Sequence, residues 1–146
     1  MDTRTEEQRQ RIMAAVKSRD TGPEIAVRRL LFAAGYRYRL HVAALPGRPD
    51  IVLPKHRVVI FVHGCFWHGH RCRKGRLPKT RLDFWQAKID RNRERDRAAL
   101  IALRRAGWRV LVVWQCELQQ PRRVEKMLRF ITTPPTPKRP AHAHPR

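Results

Sequence analysis

One stretch of ten residues, 63–72, constrains this chain most, because it packs two cysteines, three histidines and an aromatic pair directly after an apolar run at residues 58–62. An apolar run of this length predicts a buried strand. A loop at the tip of such a strand can hold its side chains rigidly, which is how many active sites are built. The sequence therefore predicts a strand with metal ligands, acid–base groups and stacking surfaces at its end.

The charge of the chain indicates a polyanionic partner. The 146 residues contain 33 Lys and Arg against 12 Asp and Glu, a formal net charge of +21 that is spread along almost the whole sequence. Such a field attracts nucleic acid first of all, although a basic protein that binds acidic partners or ribosomal RNA structurally would share it. The length suits one domain with its own core. Charge thus indicates the partner and leaves the chemistry open.

Cysteine content and hydropathy indicate the compartment. The chain has three cysteines, an odd number, and no secretory signal pattern. Both features argue for a reducing cytosol and against a disulfide framework. The longest apolar runs are strand-sized, so no membrane span is expected. We therefore expect a cytoplasmic protein.

Helix and strand signals alternate along the chain and predict an α/β fold. Capping-box spacing opens helices at Thr5 and Thr21, and the second helix should end at Gly35. A strand from Asp50 and the apolar run after it are joined by a short connection, which predicts a hairpin. The remaining predicted elements are a strand at 36–41, a long helix at 81–106 capped by Thr80, a buried strand at 108–114 and a helix at 122–131.

Two carboxylates, Glu24 and Asp50, have both a structural and a catalytic interpretation. Glu24 completes the Thr21 capping box, so capping is its first explanation and catalysis its second. Asp50 follows a Gly/Pro turn, where an aspartate usually bonds local backbone N–H groups. Depending on register, however, the hairpin could bring Asp50 near the end of its second strand and the loop after His63.

The three cysteines and one histidine predict a metal site. The set comprises Cys65, His70, Cys72 and Cys116. Three thiolates and an imidazole form a standard closed zinc site, although the spacing is not a familiar finger pattern and buried reduced cysteines are the alternative. His63 and His68 are then left free. They suit proton transfer near neutral pH, although an unassigned histidine is more often a hydrogen-bonded structural group.

Large aromatic residues stand in a basic, glycine-rich part of the chain, where a core role is hard to assign. Phe66, Trp67 and Trp85, exposed beside Arg and Lys, could stack on bases or wedge between base pairs. On the long helix, a polar stripe at i+4 spacing could face a groove, whereas the default is a solvated face. The stripe comprises Lys88, Asn92 and Asp96.

Four blocks of the chain resemble the very short patch repair endonucleases. They are residues 45–50, 61–68, 81–96 and 107–116, which occur in the family's order and spacing. The resemblance covers roughly residues 3–130. One departure is Val62, which stands where a hydroxyl residue is expected before His63. If the family uses the backbone carbonyl at this position to bind metal, Val62 can still serve.

The resemblance implies a restriction-endonuclease-like α/β core, a central mixed sheet flanked by helices with a zinc-stabilised loop. It also implies a Mg2+-dependent, strand-specific nick on the 5′ side of the mispaired thymine at a T:G mismatch. Such mismatches arise when 5-methylcytosine deaminates, here within a CT(A/T)GG-type site. The implied partners are double-stranded DNA and, functionally, a cytosine methyltransferase and mismatch-repair proteins. We expect a monomer that acts at the bacterial nucleoid.

The resemblance further implies a role for each candidate residue. Asp50 would bind Mg2+ together with the backbone carbonyl of Val62. His63 and His68 would provide acid–base chemistry and water orientation. Glu24 would support metal-bound waters, and Asp96 would be an outer catalytic group. The implied zinc ligands are Cys65, His70, Cys72 and Cys116. The implied DNA contacts are Phe66, Trp67 and Trp85 as wedges from the major groove, Lys88 and Asn92 as base readers, and Met13 from the opposite groove.

We expect an endonuclease domain at residues 1–132 and a disordered basic, Pro-rich tail at residues 133–146. Two other classes remain open from the sequence. A catalytically inactive, zinc-stabilised mismatch-binding module would share the charge, the ligands and the aromatic residues, whereas an RNA-associated basic protein would need only the charge. Mg2+-dependent cutting, its loss in Asp50→Ala, and preference for DNA over RNA would discriminate among the three.

Overall fold

Helices and strands alternate through residues 20–133, the part of the chain that the computed structural model describes. The first elements are helix α1 (Gly22–Ala33) and strands β1 (Arg39–Leu40), β2 (Ile51–Leu53) and β3 (Val58–His63). Helix α2 (Leu82–Arg105), strand β4 (Arg109–Trp114) and helix α3 (Pro121–Thr132) follow. Short 3-10 turns occupy Pro54–His56, Arg73–Gly75 and Gln115–Gln119.

The four strands form one mixed sheet in the order β1-β2-β3-β4. The β1–β2 and β2–β3 pairs are antiparallel, and the short turn between β2 and β3 makes the predicted hairpin. The β3–β4 pair is parallel. Parallel neighbours need a crossover connection, which contains the long helix α2. The predicted α/β class with a mixed central sheet is therefore confirmed.

Alternate residues of β3 face opposite sides of the sheet, and each side has its own core. One core combines the sheet with α1 and α3 through Val27, Leu31, Ile60, Val62, Met127 and Ile131. The other combines it with α2 through Val59, Phe61, Ala99, Leu103 and Val110. His63 lies on the same face of β3 as Val59 and Phe61. The alternation therefore points the His63 side chain toward α2.

Helix α1 begins and ends where the sequence predicts. Thr21 is its N-cap, and the Thr21 hydroxyl accepts the backbone N–H of Glu24 at 3.4 Å. Pro23 lies in the first turn, where its missing N–H costs nothing. After the C-cap, Gly35 takes a φ of +89°, a left-handed conformation that commonly terminates helices.

Three local expectations differ from the structure. The strand predicted at 36–41 is reduced to the exposed residues Arg39–Leu40, because it forms the sheet edge against a partner strand of only three residues. Thr80 does not cap α2, whose N-cap is Arg81 at a φ of +55° without a side-chain cap bond. Strand β4 is half-buried instead of buried, since only Val110 and Val113 lose all but a small part of their exposure.

Two further predictions lie outside the described residues: the first helix, which would carry Met13, and all but the first residue of the tail predicted at 133–146. The boundary proposed at residue 132 stays a prediction. Within residues 20–133, no helix combines the length and the apolar character needed to cross a membrane.

Candidate functional site

Asp50 lies directly before β2, at the end of the sheet where β3 finishes. Because Ile51 pairs with Ile60 in the antiparallel register, Asp50 falls beside the last residues of β3. Its Oδ2 accepts the backbone N–H of Val62 at 2.7 Å. The predicted proximity between Asp50 and the end of the second hairpin strand is thus confirmed, with a bond that crosses the hairpin.

The carboxyl of Asp50 is held in an environment that disfavours its charge. Burial, which has the largest effect, and the charge of Glu24 both raise its pKa, which reaches about 6 instead of the ordinary 3.8. The Val62 N–H and the nearby imidazoles of His41 and His68 act in the opposite direction. Two carboxylates that share a poorly solvated region repel each other. A cation beside Asp50 would offset both effects.

The two histidines outside the Cys/His set stack on each other beside a carboxylate of α2. The ring centroids of His63 and His68 are 3.8 Å apart, and their planes differ by 2°. Asp96 Oδ2 lies 2.6 Å from His68 Nδ1, and Asp96 Oδ1 lies 3.9 Å from His63 Nε2. Since a carboxylate only accepts, the short contact assigns a proton to His68 Nδ1. In the neutral ring, His68 Nε2 is then a free acceptor.

His63 is the most enclosed member of this group. It is 5% exposed, and its Nδ1 is buried without a hydrogen-bond partner among the described residues. Burial lowers its pKa from 6.5 to about 4; His68 lowers this pKa as well, while Asp96 raises it. His63 is therefore uncharged at neutral pH. A buried polar nitrogen without a partner is uncommon and is suited to a water or a bound group.

The loop after β3 folds back so that its metal-ligating side chains meet the turn after β4. One ligand atom from each of Cys65, His70, Cys72 and Cys116 lies within 4.8 Å of all the others. His70 Nδ1 is 3.5 Å from Cys116 Sγ. Tetrahedral zinc with bonds of about 2.3 Å to sulfur separates its sulfur ligands by about 3.8 Å. The four donors predicted from the sequence are therefore brought together at a spacing that fits a tetrahedral metal ion.

The protonation of the thiols also fits a metal centre. Burial raises the pKa of Cys65 to about 12 and raises that of Cys116 as well. A hydrogen bond with His70 lowers the pKa of Cys72 to about 6. The cluster alone thus favours one thiolate, and a bound dication would stabilise the other two. The backbone packs closely around the Cys/His cluster, because a Cβ at Gly75 would overlap the carbonyl oxygen of His70.

Trp114, the last residue of β4, joins the histidine pair to the Cys/His cluster. In the parallel register Trp114 pairs with His63. Its ring stacks on His70 at 4.2 Å between centroids and contacts His63 edge-on at 5.1 Å. The sequence pattern around Trp114 predicted only a strand residue. The available signal was strand pairing, because neighbouring parallel strands would end level at His63 and Trp114.

The predicted aromatic group forms, but its members differ in exposure. Phe66 contacts Trp67 at 5.2 Å and Trp85 at 5.4 Å between ring centroids. Phe66 and Trp67 are half-buried, whereas Trp85 is 7% exposed. The expectation that Trp85 is exposed is wrong, because it lies on the buried face of α2 one turn before Ile89. Phe84, which was given no role of its own, is 43% exposed beside it.

The polar stripe on α2 faces the loop instead of open solvent. Asn92 donates from Nδ2 to the backbone carbonyl of Trp67 at 2.9 Å. The Lys88 ammonium lies 5.2 Å from the centre of the Trp67 ring and 5.9 Å from that of Trp85. Asp96, the third member of the stripe, holds His68. One helix face therefore supports both the aromatic group and the histidine pair.

Half of the predicted capping box forms: the Glu24 backbone N–H donates to the Thr21 hydroxyl, while the Glu24 carboxylate has partners other than the Thr21 N–H. The Oε2 atom of Glu24 accepts hydrogen bonds from the backbone N–H of Asp20 at 2.9 Å and from Arg28 Nη2 at 3.2 Å. It also lies 3.6 Å from His41 Nε2. Asp20, Glu24 and His41 have metal-ligand atoms within 4.8 Å of one another. Since the Arg28 guanidinium bonds both carboxylates, the group is an ion-pair network. Local sequence patterns predicted no functional role for Arg28 or His41.

The chain is similar to several bacterial DNA-cleaving proteins. The type II nicking enzyme V.XorIIP of Xanthomonas oryzae is 56% identical over 133 residues, which cover 91% of this chain and 98% of the relative. The type II nicking enzyme V.NmeAIP of Neisseria meningitidis is 47% identical over 118 residues, 81% of this chain and 84% of the relative. The DNA mismatch endonuclease Vsr of Escherichia coli is 48% identical over 111 residues, 76% and 71% of the two chains.

The sequence model of one family, described as DNA mismatch endonuclease Vsr, matches residues 1–74. The matched region includes Asp50 and the loop with both stacked histidines, and the relatives extend the similarity through α2 and β4. The resemblance seen in the four sequence blocks is therefore confirmed. This chain belongs to the DNA mismatch endonuclease Vsr family and is a DNA endonuclease.

Proposed function

We propose that this protein nicks one strand of duplex DNA on the 5′ side of the mispaired thymine at a T:G mismatch. The mismatch is the product of 5-methylcytosine deamination, and the nick starts very short patch repair. One observation carries the proposal: Asp50 and the His63–His68–Asp96 group lie at the same end of β3. Family membership supports the endonuclease activity, and the aromatic surface beside the site supports recognition of a weakened base pair.

We assign Mg2+ to the site at Asp50. The Asp50 carboxylate and the backbone carbonyl of Val62 are oxygen ligands, which Mg2+ prefers, and Mg2+ keeps several waters that Glu24 would support. The raised pKa of Asp50 is consistent with a site that gains from a cation. When bound, Mg2+ neutralises charge at the scissile phosphate and makes a bound water more acidic. Val62 would serve through its backbone alone, since it has no hydroxyl group.

The histidine pair would carry the proton transfers. Asp96 holds the Nδ1 proton of His68, so His68 Nε2 is available to take a proton from the attacking water. The parallel stacking on His63 restrains the plane of the His68 ring. His63, uncharged at neutral pH, would orient a water or a phosphate oxygen through its unpartnered ring nitrogen. Asp96 thereby acts through His68 as a positioning residue.

We assign Zn2+ to the Cys/His cluster as a structural ion, because three thiolates and one imidazole are a typical closed zinc set. Its ligands Cys65, His70, Cys72 and Cys116 bracket the loop that carries His68 and the aromatic pair. An ion there would fix the loop against the turn after β4. This role requires no open coordination position and no part in the chemistry.

For recognition, we propose that Phe66 and Trp67 enter the duplex beside the mismatch from the major groove, with Trp85 as their buried support. A T:G wobble pair stacks less well than a matched pair, so inserting a wedge there costs less. Lys88 would reach base edges from beside the rings. Asn92 would hold the Trp67 backbone and reach a base on binding. Met13, outside the described residues, stays assigned to the opposite groove.

The finer features of the proposal follow from the family resemblance. We propose a restriction-endonuclease-like topology for the sheet and its helices, a CT(A/T)GG-type context for the mismatch, and a monomeric enzyme of the bacterial cytoplasm. We also propose functional links to a cytosine methyltransferase, which makes the base that deaminates, and to mismatch-repair proteins. The basic surface supports binding to DNA phosphates in all of these contexts.

The decisive experiment uses a labelled duplex with one T:G mismatch in CT(A/T)GG context, a matched T:A duplex, and Mg2+ added or omitted. We expect a single Mg2+-dependent cut 5′ of the mispaired thymine, no cut in the control, and no cut by Asp50→Ala despite retained binding. Tight binding of the mismatch without a cut by the wild type would refute the nuclease and favour an inactive mismatch-binding module. A preference for RNA would refute both.

A further inference from the structure

Glu24 is held by a network that its capping role leaves unexplained. It is 2% exposed, and three groups converge on a single oxygen, Oε2: the backbone N–H of Asp20, Arg28 Nη2 and His41 Nε2. A capping box needs only the contacts between the first turn and the residues just before it. Arg28 lies a full turn later on α1, and His41 follows β1 in the loop toward β2.

Arg28 is the centre of this network. Its Nη2 alone lies 2.6 Å from Asp20 Oδ1, 3.2 Å from Glu24 Oε2 and 3.1 Å from His41 Nε2. The side chain of Arg28 is only 15% exposed. Charge-assisted bonds in such a poorly solvated position are stronger and more directional than surface pairs. The orientation of the Glu24 carboxylate therefore depends on the position of Arg28 Nη2.

His41 connects the network to Asp50. The backbone N–H of His41 donates to the backbone carbonyl of Asp50 at 3.2 Å, while its ring reaches the Glu24 carboxylate. His41 takes a φ of +47°, a left-handed conformation that non-glycine residues seldom adopt, and this directs its ring back toward α1. Residues with such backbones persist where surrounding contacts hold them. A short chain of contacts thus runs from Arg28 through Glu24 and His41 to Asp50.

From this geometry we propose that Arg28, assisted by His41, is a positioning residue for the nicking reaction: it fixes the Glu24 carboxylate at one end of the chain of contacts that leads to Asp50. The inference rests on the proposed function, because the position of Glu24 affects nicking only if Glu24 supports the Mg2+ site at Asp50. Partners of this kind, one contact removed from the reacting groups, commonly change activity by 10-fold to 100-fold. We expect DNA binding to be unaffected, because the Arg28 side chain is only 15% exposed and is directed into the network.

The test compares Arg28→Ala and Arg28→Lys with Arg29→Ala, which removes an exposed arginine from the next position of the same helix. Single-turnover nicking is measured over a Mg2+ titration, together with DNA affinity in Ca2+ and thermal unfolding. We expect Arg28→Ala to lower the rate at saturating Mg2+ by about 10-fold or more. The half-saturating Mg2+ concentration should not rise. The substitution removes the positive charge of Arg28 beside Asp20 and Glu24, so it does not weaken the attraction of this region for a cation. DNA affinity should match that of Arg29→Ala.

Arg28→Lys should recover part of the lost rate, because the contacts with Asp20, Glu24 and His41 all involve Nη2 and a lysine ammonium offers three donors at one nitrogen. A wild-type rate for the folded fraction of Arg28→Ala, with only a lower unfolding temperature, would overturn the inference and leave a helix-stabilising role. If Arg28→Ala does not fold, His41→Asn provides the test, since asparagine tolerates the left-handed backbone and lacks the imidazole ring. This variant should slow nicking by about threefold or more. An unchanged nicking rate would refute the positioning role.

Failure of the proposed substrate is a separate outcome. A panel of duplexes with every single mismatch identifies which DNA the wild type cuts, and the variants are compared on that DNA. Cutting of another mismatch would refute the T:G proposal while the Arg28 comparison still applies. Equal rates for Arg28→Ala and Arg29→Ala on the preferred duplex would refute the positioning role while leaving the substrate assignment intact.

Discussion

Replacing Asp50 by asparagine should stabilise the protein in the absence of Mg2+ while it abolishes nicking. Folding raises the pKa of this carboxyl from 3.8 to about 6, mainly through burial. The folded state therefore favours the protonated form, and at neutral pH the ionised carboxylate opposes folding. Asparagine keeps an oxygen that can accept the Val62 N–H and carries no charge.

The size of the effect follows from linkage. A pKa difference between 3.8 and about 6 corresponds to about 3 kcal/mol of unfolding free energy at neutral pH. Partial contact of the carboxyl with water and the new amide group, which needs its own partner, reduce the expected gain to roughly 1–3 kcal/mol. For a chain of this size that is a rise of roughly 3–10 °C in the unfolding temperature.

The stability difference between Asp50→Asn and the wild type should depend on pH. The penalty from Asp50 is absent below about pH 3.8, where the carboxyl is protonated in both states, and it grows as pH rises through about 6. The difference in unfolding temperature between Asp50→Asn and the wild type should therefore be small at pH 4 and largest at pH 7–8. It is measured by circular dichroism in Mg2+-free buffer without a chelator, because a chelator would also remove a structural metal.

Mg2+ supplies the control for this prediction. Added Mg2+ should raise the unfolding temperature of the wild type and leave Asp50→Asn unchanged, because binding to the folded state alone stabilises it. A variant that is less stable than the wild type at pH 8, or a difference that does not shrink toward pH 4, would refute the reasoning. Either result would mean that the carboxylate gains more from its Val62 bond than it loses by burial.

Four further substitutions test other parts of the molecule. Asp96→Asn should slow nicking by roughly 100-fold or more with unchanged DNA affinity, because the His68 tautomer is no longer fixed; single-turnover kinetics check it. Cys116→Ser should lower zinc content, measured by mass spectrometry, and unfolding temperature together. Arg109→Met should lower unfolding free energy in urea by about 1–3 kcal/mol, because its guanidinium bonds the carbonyls that end α3. Gly69→Ala should destabilise by a similar 1–3 kcal/mol, since its φ is +64° and a Cβ would lie 2.7 Å from a methyl of α2; unchanged stability would argue against this packing.

Much of the fold could be read from residues close together in sequence. The Thr21 cap, the hairpin that brings Asp50 beside β3 and the long helix α2 all follow from local patterns, and the structure places them within a few residues of the prediction. Local patterns failed where pairing or packing decides. The strand predicted at 36–41 lost most of its length at the sheet edge. Trp85 proved buried because the loop after β3 packs over the start of α2 through Phe66 and Trp67.

The sequence by itself determined the chemistry that is available: which side chains can bind a metal, move a proton or stack on a base. Residue type selected the three cysteines, and spacing to Cys72 selected His70 among the seven histidines, as a zinc set. The tertiary structure decided which of these groups act on one another. Asp96 reaches His68 across 28 residues, and Arg28 reaches His41 across 13. Such distances depend on how helices pack on the sheet, and no periodicity within a helix or strand encodes them.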